Sequence, residues 1–131
     1  MVIWFILLLS LLAIPPVWNV PQPIRDRWIR DTSPYNSECI CATGAETTAA
    51  VNVLKELKFP NDPCLKCFIK CIQIKMGLMR SDGTIVPGAW VNVVAGVTTE
   101  IAIKCTNESS SVLDACQKAY DWSICLRNAL S

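Results

Sequence analysis

Three cysteines fall within one short stretch, Cys64-Leu-Lys-Cys67-Phe-Ile-Lys-Cys71, and their spacing limits what the chain can become. On a helix, positions i, i+3 and i+7 share one face. A bridge between any two of them would strain that helix, so each is expected to reach a different segment. The flanking residues favour a helix here. Asp62 suits a cap, Pro63 a first helical position and Gly77 a stop, which predicts a helix over residues 63–76. Cys116 and Cys125 lie nine positions apart in a second periodic segment. At about 100° per residue they point to opposite faces, so that helix is sewn to two neighbours.

The chain has 131 residues, eight cysteines and no histidine. That density of cysteine in a length suited to one domain implies an oxidising compartment and a disulfide framework. Zinc is the alternative use of clustered cysteines, but it is usually held by paired CxxC arms. Cys64-Leu-Lys-Cys67 is the only CxxC and no second arm follows, so no metal and no cofactor are expected. Residues 1–17 carry no charge and are mostly Leu, Ile, Val, Trp and Phe. A stretch this short reads as a secretory signal peptide over residues 1–20, cleaved between 13 and 20, with an uncleaved anchor as the alternative. The domain is then residues 21–131, in an extracellular fluid and without a stable membrane anchor after processing. Every charged residue follows Val20, and the net charge is +1, which gives no electrostatic reason to expect nucleic acid or an anionic membrane as partner.

The remaining pattern is helical, and five to six short helices in one compact all-α domain are expected. The polar segment 21–37 reads as a solvated helix interrupted at Ser33-Pro34. Residues 45–59 place Ala50, Val53, Leu54 and Leu57 on one side. Residues 89–95 are rich in valine and would suit a strand, but no second strand is available to pair with them, so a short helix is expected. Residues 97–104 follow as a helix, 106–111 as a polar loop containing the glycosylation sequon Asn107-Glu108-Ser109, and 112–130 as the last helix. Spacing alone leaves connectivity open, since eight cysteines allow on the order of a hundred pairings.

The cysteine pattern resembles the insect odorant-binding protein family of the general-odorant and pheromone-binding type. In that family three residues separate the second and third cysteines, and eight separate the fifth and sixth. Cys67 to Cys71 and Cys116 to Cys125 reproduce these gaps, with Cys105 in the fourth position. Cys39-Ile-Cys-Ala-Thr43-Gly44, Met76-Gly77-Leu78-Met79 followed by Asp82-Gly83, and Ala119-Tyr120 are similar to further family features. The resemblance covers roughly residues 25–130. It implies the bridges Cys39–Cys71, Cys67–Cys116 and Cys105–Cys125. Cys41 and Cys64 are additional, and a fourth bridge between them is expected.

The resemblance also implies an apolar cavity for odorants, pheromones or similar molecules, in sensillar lymph or another extracellular fluid. The candidate lining is Leu54, Leu57, Phe59, Phe68, Ile72, Met76, Met79, Trp90, Val91, Val94, Val97, Ile101, Tyr120, Trp122 and Leu126, residue types shared by pockets and cores. Tyr120 and Trp122 are expected to offer one polar contact each. An odorant receptor or a second copy of the chain are open as partners. Catalysis is not expected: without histidine, Ser-His-Asp and Cys-His chemistry is impossible, and no acidic pair stands out for a glycosidase. A plant-type lipid-transfer protein would need adjacent cysteines, which this chain lacks. The main rival is a secreted signalling or scaffold protein of the same fold with a filled core. The missing histidine also removes imidazole protonation as a means of ligand release.

Overall fold

The computed structural model describes residues 19–131. The signal peptide expected over residues 1–20 lies outside the described residues except for its last two positions. Of these, Val20 is packed in the core at 1% exposure. Among the described residues the chain forms seven α-helices and one 3-10 turn: α1 Gln22–Thr32, the turn Ser33–Tyr35, α2 Asn36–Thr43, α3 Thr47–Lys55, α4 Pro63–Lys75, α5 Pro87–Val93, α6 Thr99–Ser109 and α7 Ala115–Leu130. The domain is all-α. The one β feature among the described residues is an isolated antiparallel bridge between Met79 and Ile85, closed by the turn in which Asp82 Oδ1 accepts from the Thr84 N–H at 2.9 Å. No described helix is long and apolar enough to cross a membrane.

Local chemistry sets the helix ends. Asp62 Oδ1 accepts from the Leu65 N–H at 2.8 Å, and Pro63 opens α4 where a missing N–H costs nothing. At the other end Gly77 takes φ +72°. The Leu78 N–H then reaches the Gln73 carbonyl at 2.8 Å and the Gly77 N–H reaches that of Ile74 at 3.0 Å, a Schellman closure. Thr98 and Asp114 cap α6 and α7 in the same manner as Asp62. Ser33-Pro34 does interrupt the first helical segment, but the chain resumes helix on the far side, so the cysteine-bearing α2 is a separate element.

Helix α4 is the hub. It packs most extensively on α7 and next on α2, while α6 packs on both α5 and α7 and α1 leans on α3. Disulfides follow these contacts. Cys39–Cys71 joins α2 to α4, Cys67–Cys116 joins α4 to α7, and Cys105–Cys125 joins α6 to α7. The expected fourth bridge is absent, because Cys41 and Cys64 are both free and exposed. Helix geometry gives the reason. Cys41 lies about 200° around α2 from Cys39, which faces α4, and Cys64 lies about 10 Å along α4 from Cys71.

The segment expected as a polar loop, 106–111, is helical as far as Ser109. Ala102, Cys105 and Ser109 make a buried stripe at helical spacing, and the Ser109 hydroxyl donates to the Cys105 carbonyl at 2.6 Å. The polar residues between them cover the exposed face, which hid the helix from a reading by composition. The sequon residues Asn107, Glu108 and Ser109 therefore sit in the last turns of α6 rather than in a loop.

Titration of the native, non-reduced protein with a thiol reagent is expected to count two accessible thiols per chain. A count of zero would mean that Cys41 and Cys64 are paired. Replacing both Cys67 and Cys116 by alanine is expected to cost about 2–4 kcal/mol in denaturant unfolding, the usual worth of a bridge.

Candidate ligand cavity

A cavity of about 480 Å³ opens between α1, α3, α4 and α7, within the range of roughly 300–1,000 Å³ usual for small-molecule sites. Helix α4 supplies one wall through Phe68, Ile69, Ile72, Gln73 and Met76. Helix α3 and the link after it supply Ala50, Val53, Leu54, Leu57 and Phe59, α7 supplies Ser123, Leu126 and Arg127, and Trp90, Val94 and Leu78 line the far end. Trp28 and Ile29 enter from α1. Polar side chains collect on α1 and at the end of α3, as Gln22, Asp26, Asp31, Thr32 and Lys55, with Asn36 beside them on α2.

The local fold aims these side chains. Leu57 takes φ +55°, an uncommon conformation for a branched residue. It buries Leu57 to 1% exposure beside the cavity and turns the chain at the end of α3. The Leu57 carbonyl accepts from Arg127 Nη1 at 3.2 Å. The Trp28 indole N–H donates to the Ala95 carbonyl at 2.9 Å, which ties α1 to the segment that follows α5.

Of the candidate lining residues, the structure brings Leu54, Leu57, Phe59, Phe68, Ile72, Met76, Trp90, Val94 and Leu126 to the cavity wall. Met79, Val91, Val97, Ile101, Tyr120 and Trp122 lie elsewhere. Met79 and Val97 are buried in the core, and Val91 and Ile101 pack against it. Trp122 is fully buried behind Trp90, the two rings stacked with centroids 3.6 Å apart. Tyr120 stands behind Phe59, edge to face at 5.9 Å. Neither offers its polar atom to the cavity. The Tyr120 hydroxyl donates to the Phe59 carbonyl at 2.6 Å, and the Trp122 N–H to Thr106 Oγ1 at 3.1 Å.

Sequence reasoning missed Trp28, Ile29 and the polar lining residues of α1 because α1 reads as a solvated helix. The apolar pair Ile24 and Trp28, four residues apart in that polar segment, was the available signal. Gln73 and Ser123 carry no local signal of their place in the wall, because polar side chains on amphipathic helices ordinarily mark the solvent face.

Burial pushes the Tyr120 phenol pKa up, with Asp121 adding to the rise and Arg127 opposing it. The Arg127 guanidinium is lowered, again chiefly by burial, and lies 5.1 Å from the Phe59 ring centre.

The family model of the PBP/GOBP family matches residues 24–129. The chain belongs to this family of insect odorant- and pheromone-binding proteins. The match spans α1 to α7 and includes every helix that lines the cavity. Comparison with curated proteins finds no match.

The burial of the Tyr120 phenol predicts a pH dependence. Because the folded pKa is raised, the stabilisation is fully present below the ordinary phenol value of 10.0 and is lost as pH rises through the raised one. Tyr120→Phe is expected to cost about 1 kcal/mol at neutral pH. The difference should shrink at strongly alkaline pH, as read by thermal unfolding of both proteins across that range.

Proposed function

We propose that this protein carries small apolar or amphiphilic molecules in extracellular fluid, holding them in the cavity between α1, α3, α4 and α7. The observation that carries the reading is the cavity itself: an apolar interior of about 480 Å³ in a chain of a family that binds small hydrophobic ligands. A scaffold protein of the same fold would gain by filling that space, since interiors otherwise pack as densely as organic crystals. The nine candidate residues at the wall, together with Trp28, Ile69 and Ala50, are the proposed contact surface. Odorants and pheromones are the proposed cargo, and export by a cleaved leader is the proposed route. Val20 is buried, which favours cleavage before it.

Energetics suit a carrier. Burying ten to twelve methylenes yields about 8–10 kcal/mol gross at roughly 0.8 each, and association costs several kcal/mol. The net corresponds to affinity around micromolar, compatible with both capture and release.

The test is uptake of the fluorescent probe N-phenyl-1-naphthylamine by the disulfide-intact protein, and its displacement by volatile alcohols, esters and fatty acids. Micromolar uptake, lost on reduction, is expected. Ala50→Phe, which places a ring into the cavity from α3, should weaken uptake at least tenfold while leaving the helical circular dichroism intact. Failure of the folded wild-type protein to take up probe would overturn the carrier reading and turn attention to protein partners.

A further inference from the structure

The cavity wall contains one deeply buried polar side chain whose hydrogen bonds are incomplete. Among the described residues the buried polar side chains are Gln73 and Ser109, and of these Gln73 borders the cavity. The Gln73 amide nitrogen donates to the Ala119 carbonyl at 2.9 Å and to Ser123 Oγ at 3.1 Å. A backbone carbonyl can only accept, so this contact decides which end of the amide carries hydrogen. The other end, Oε1, is buried and meets no hydrogen-bond donor of the protein itself. Buried acceptors are nearly always paired, and one left unmade forgoes its hydration without return. Ser123, beside Gln73, also lines the cavity, so a small polar spot interrupts the apolar wall where α4 meets α7.

We propose that Gln73 makes this cavity selective for ligands bearing a hydroxyl group, with the ligand O–H donating to Gln73 Oε1. This inference rests on the carrier reading above and names the class of cargo. Aldehydes, ethers and esters bring only acceptors to an acceptor, and hydrocarbons leave it unpaired. A primary amine has the donor but would bring a cation into an apolar wall. Oε1 is buried in this structure, so an incoming hydroxyl must displace a neighbour to reach it. Met76 is suited to yield: it lies three residues along α4 from Gln73, lines the cavity and has a flexible unbranched side chain.

Decanol and methyl nonyl ether test this directly, because they are isomers of similar shape that differ in whether the oxygen carries hydrogen. Both are titrated against N-phenyl-1-naphthylamine bound to the wild-type protein and to Gln73→Met, which keeps an unbranched side chain and removes both polar ends. Decanol is expected to displace the probe from wild type about tenfold more tightly than the ether, the usual worth of one buried hydrogen bond. In Gln73→Met the ratio should fall to about one. Equal displacement by the two isomers from wild type would overturn the inference while leaving the carrier reading intact. So would a Gln73→Met protein that keeps the tenfold preference. If that variant does not fold, the wild-type comparison decides alone. A folded wild-type protein that never takes up the probe overturns the carrier reading, and the inference falls with it.

Discussion

Two disulfides leave α4 one helical turn apart, Cys67 to α7 and Cys71 to α2, and the rest of the molecule is arranged around that pair. Because i and i+4 share a face, both partners are drawn to one side of α4. The surface formed by Phe68, Ile69, Ile72, Gln73 and Met76 is thereby left to border open space. An ordinary small core would collapse into such a space. At about 24 cal/mol per Å³, leaving 480 Å³ unfilled forgoes at most about 12 kcal/mol. Three disulfides closing 32, 49 and 20 residues oppose this with about 3–4 kcal/mol each in the chain-entropy account, a contribution of similar size. The cross-links and the cavity are two sides of one design: the first makes the second tolerable.

Aromatic side chains stiffen the wall from behind. Trp90 faces the cavity and is backed by the stacked Trp122, while Phe59 faces it and is backed by Tyr120. The outer member of each pair uses its polar atom on the protein itself, on Thr106 or on the Phe59 carbonyl. Wall residues held this way cannot easily rotate into the void. Leu57 contributes differently. Its left-handed backbone costs on the order of 1 kcal/mol, but it turns the chain at the end of α3 and buries the side chain.

What the sequence made legible is what local chemistry determines. The Asp62 cap, Pro63 and the Gly77 stop delimit α4 because each acts within one turn of itself. Phe68, Ile72 and Met76, expected at the cavity from the resemblance and their apolar character, do border it, on the face of α4 turned away from its disulfide partners. Tyr120 and Trp122 are expected in the lining with one polar contact each, and in the structure they stand behind it. Their true place behind it depends on how α7 is rotated against α4, which no local signal records. Residues 106–109 read as loop because their polar side chains are those of an exposed helix face, and the buried stripe beneath them is only three residues. Cys41 and Cys64 pair well on paper, yet three-dimensional reach separates them.

The distribution of staples also sets where the molecule can give way. Among the described residues no disulfide touches α1, α3 or α5; all three bridges lie within α2, α4, α6 and α7. The cavity therefore has a cross-linked wall, α4 and α7, and a wall held by side chains alone. Helix α1 rests on the buried Trp28, with its bond to Ala95, and on Arg25, which donates to the Lys55 carbonyl at 3.2 Å. A segment held by side-chain packing and hydrogen bonds opens at lower cost than one tied by covalent bonds. With no histidine in the chain, imidazole protonation cannot drive that opening. On the proposed carrier reading, a ligand filling the space beneath α1 and α3 adds its binding free energy to the cost of opening them.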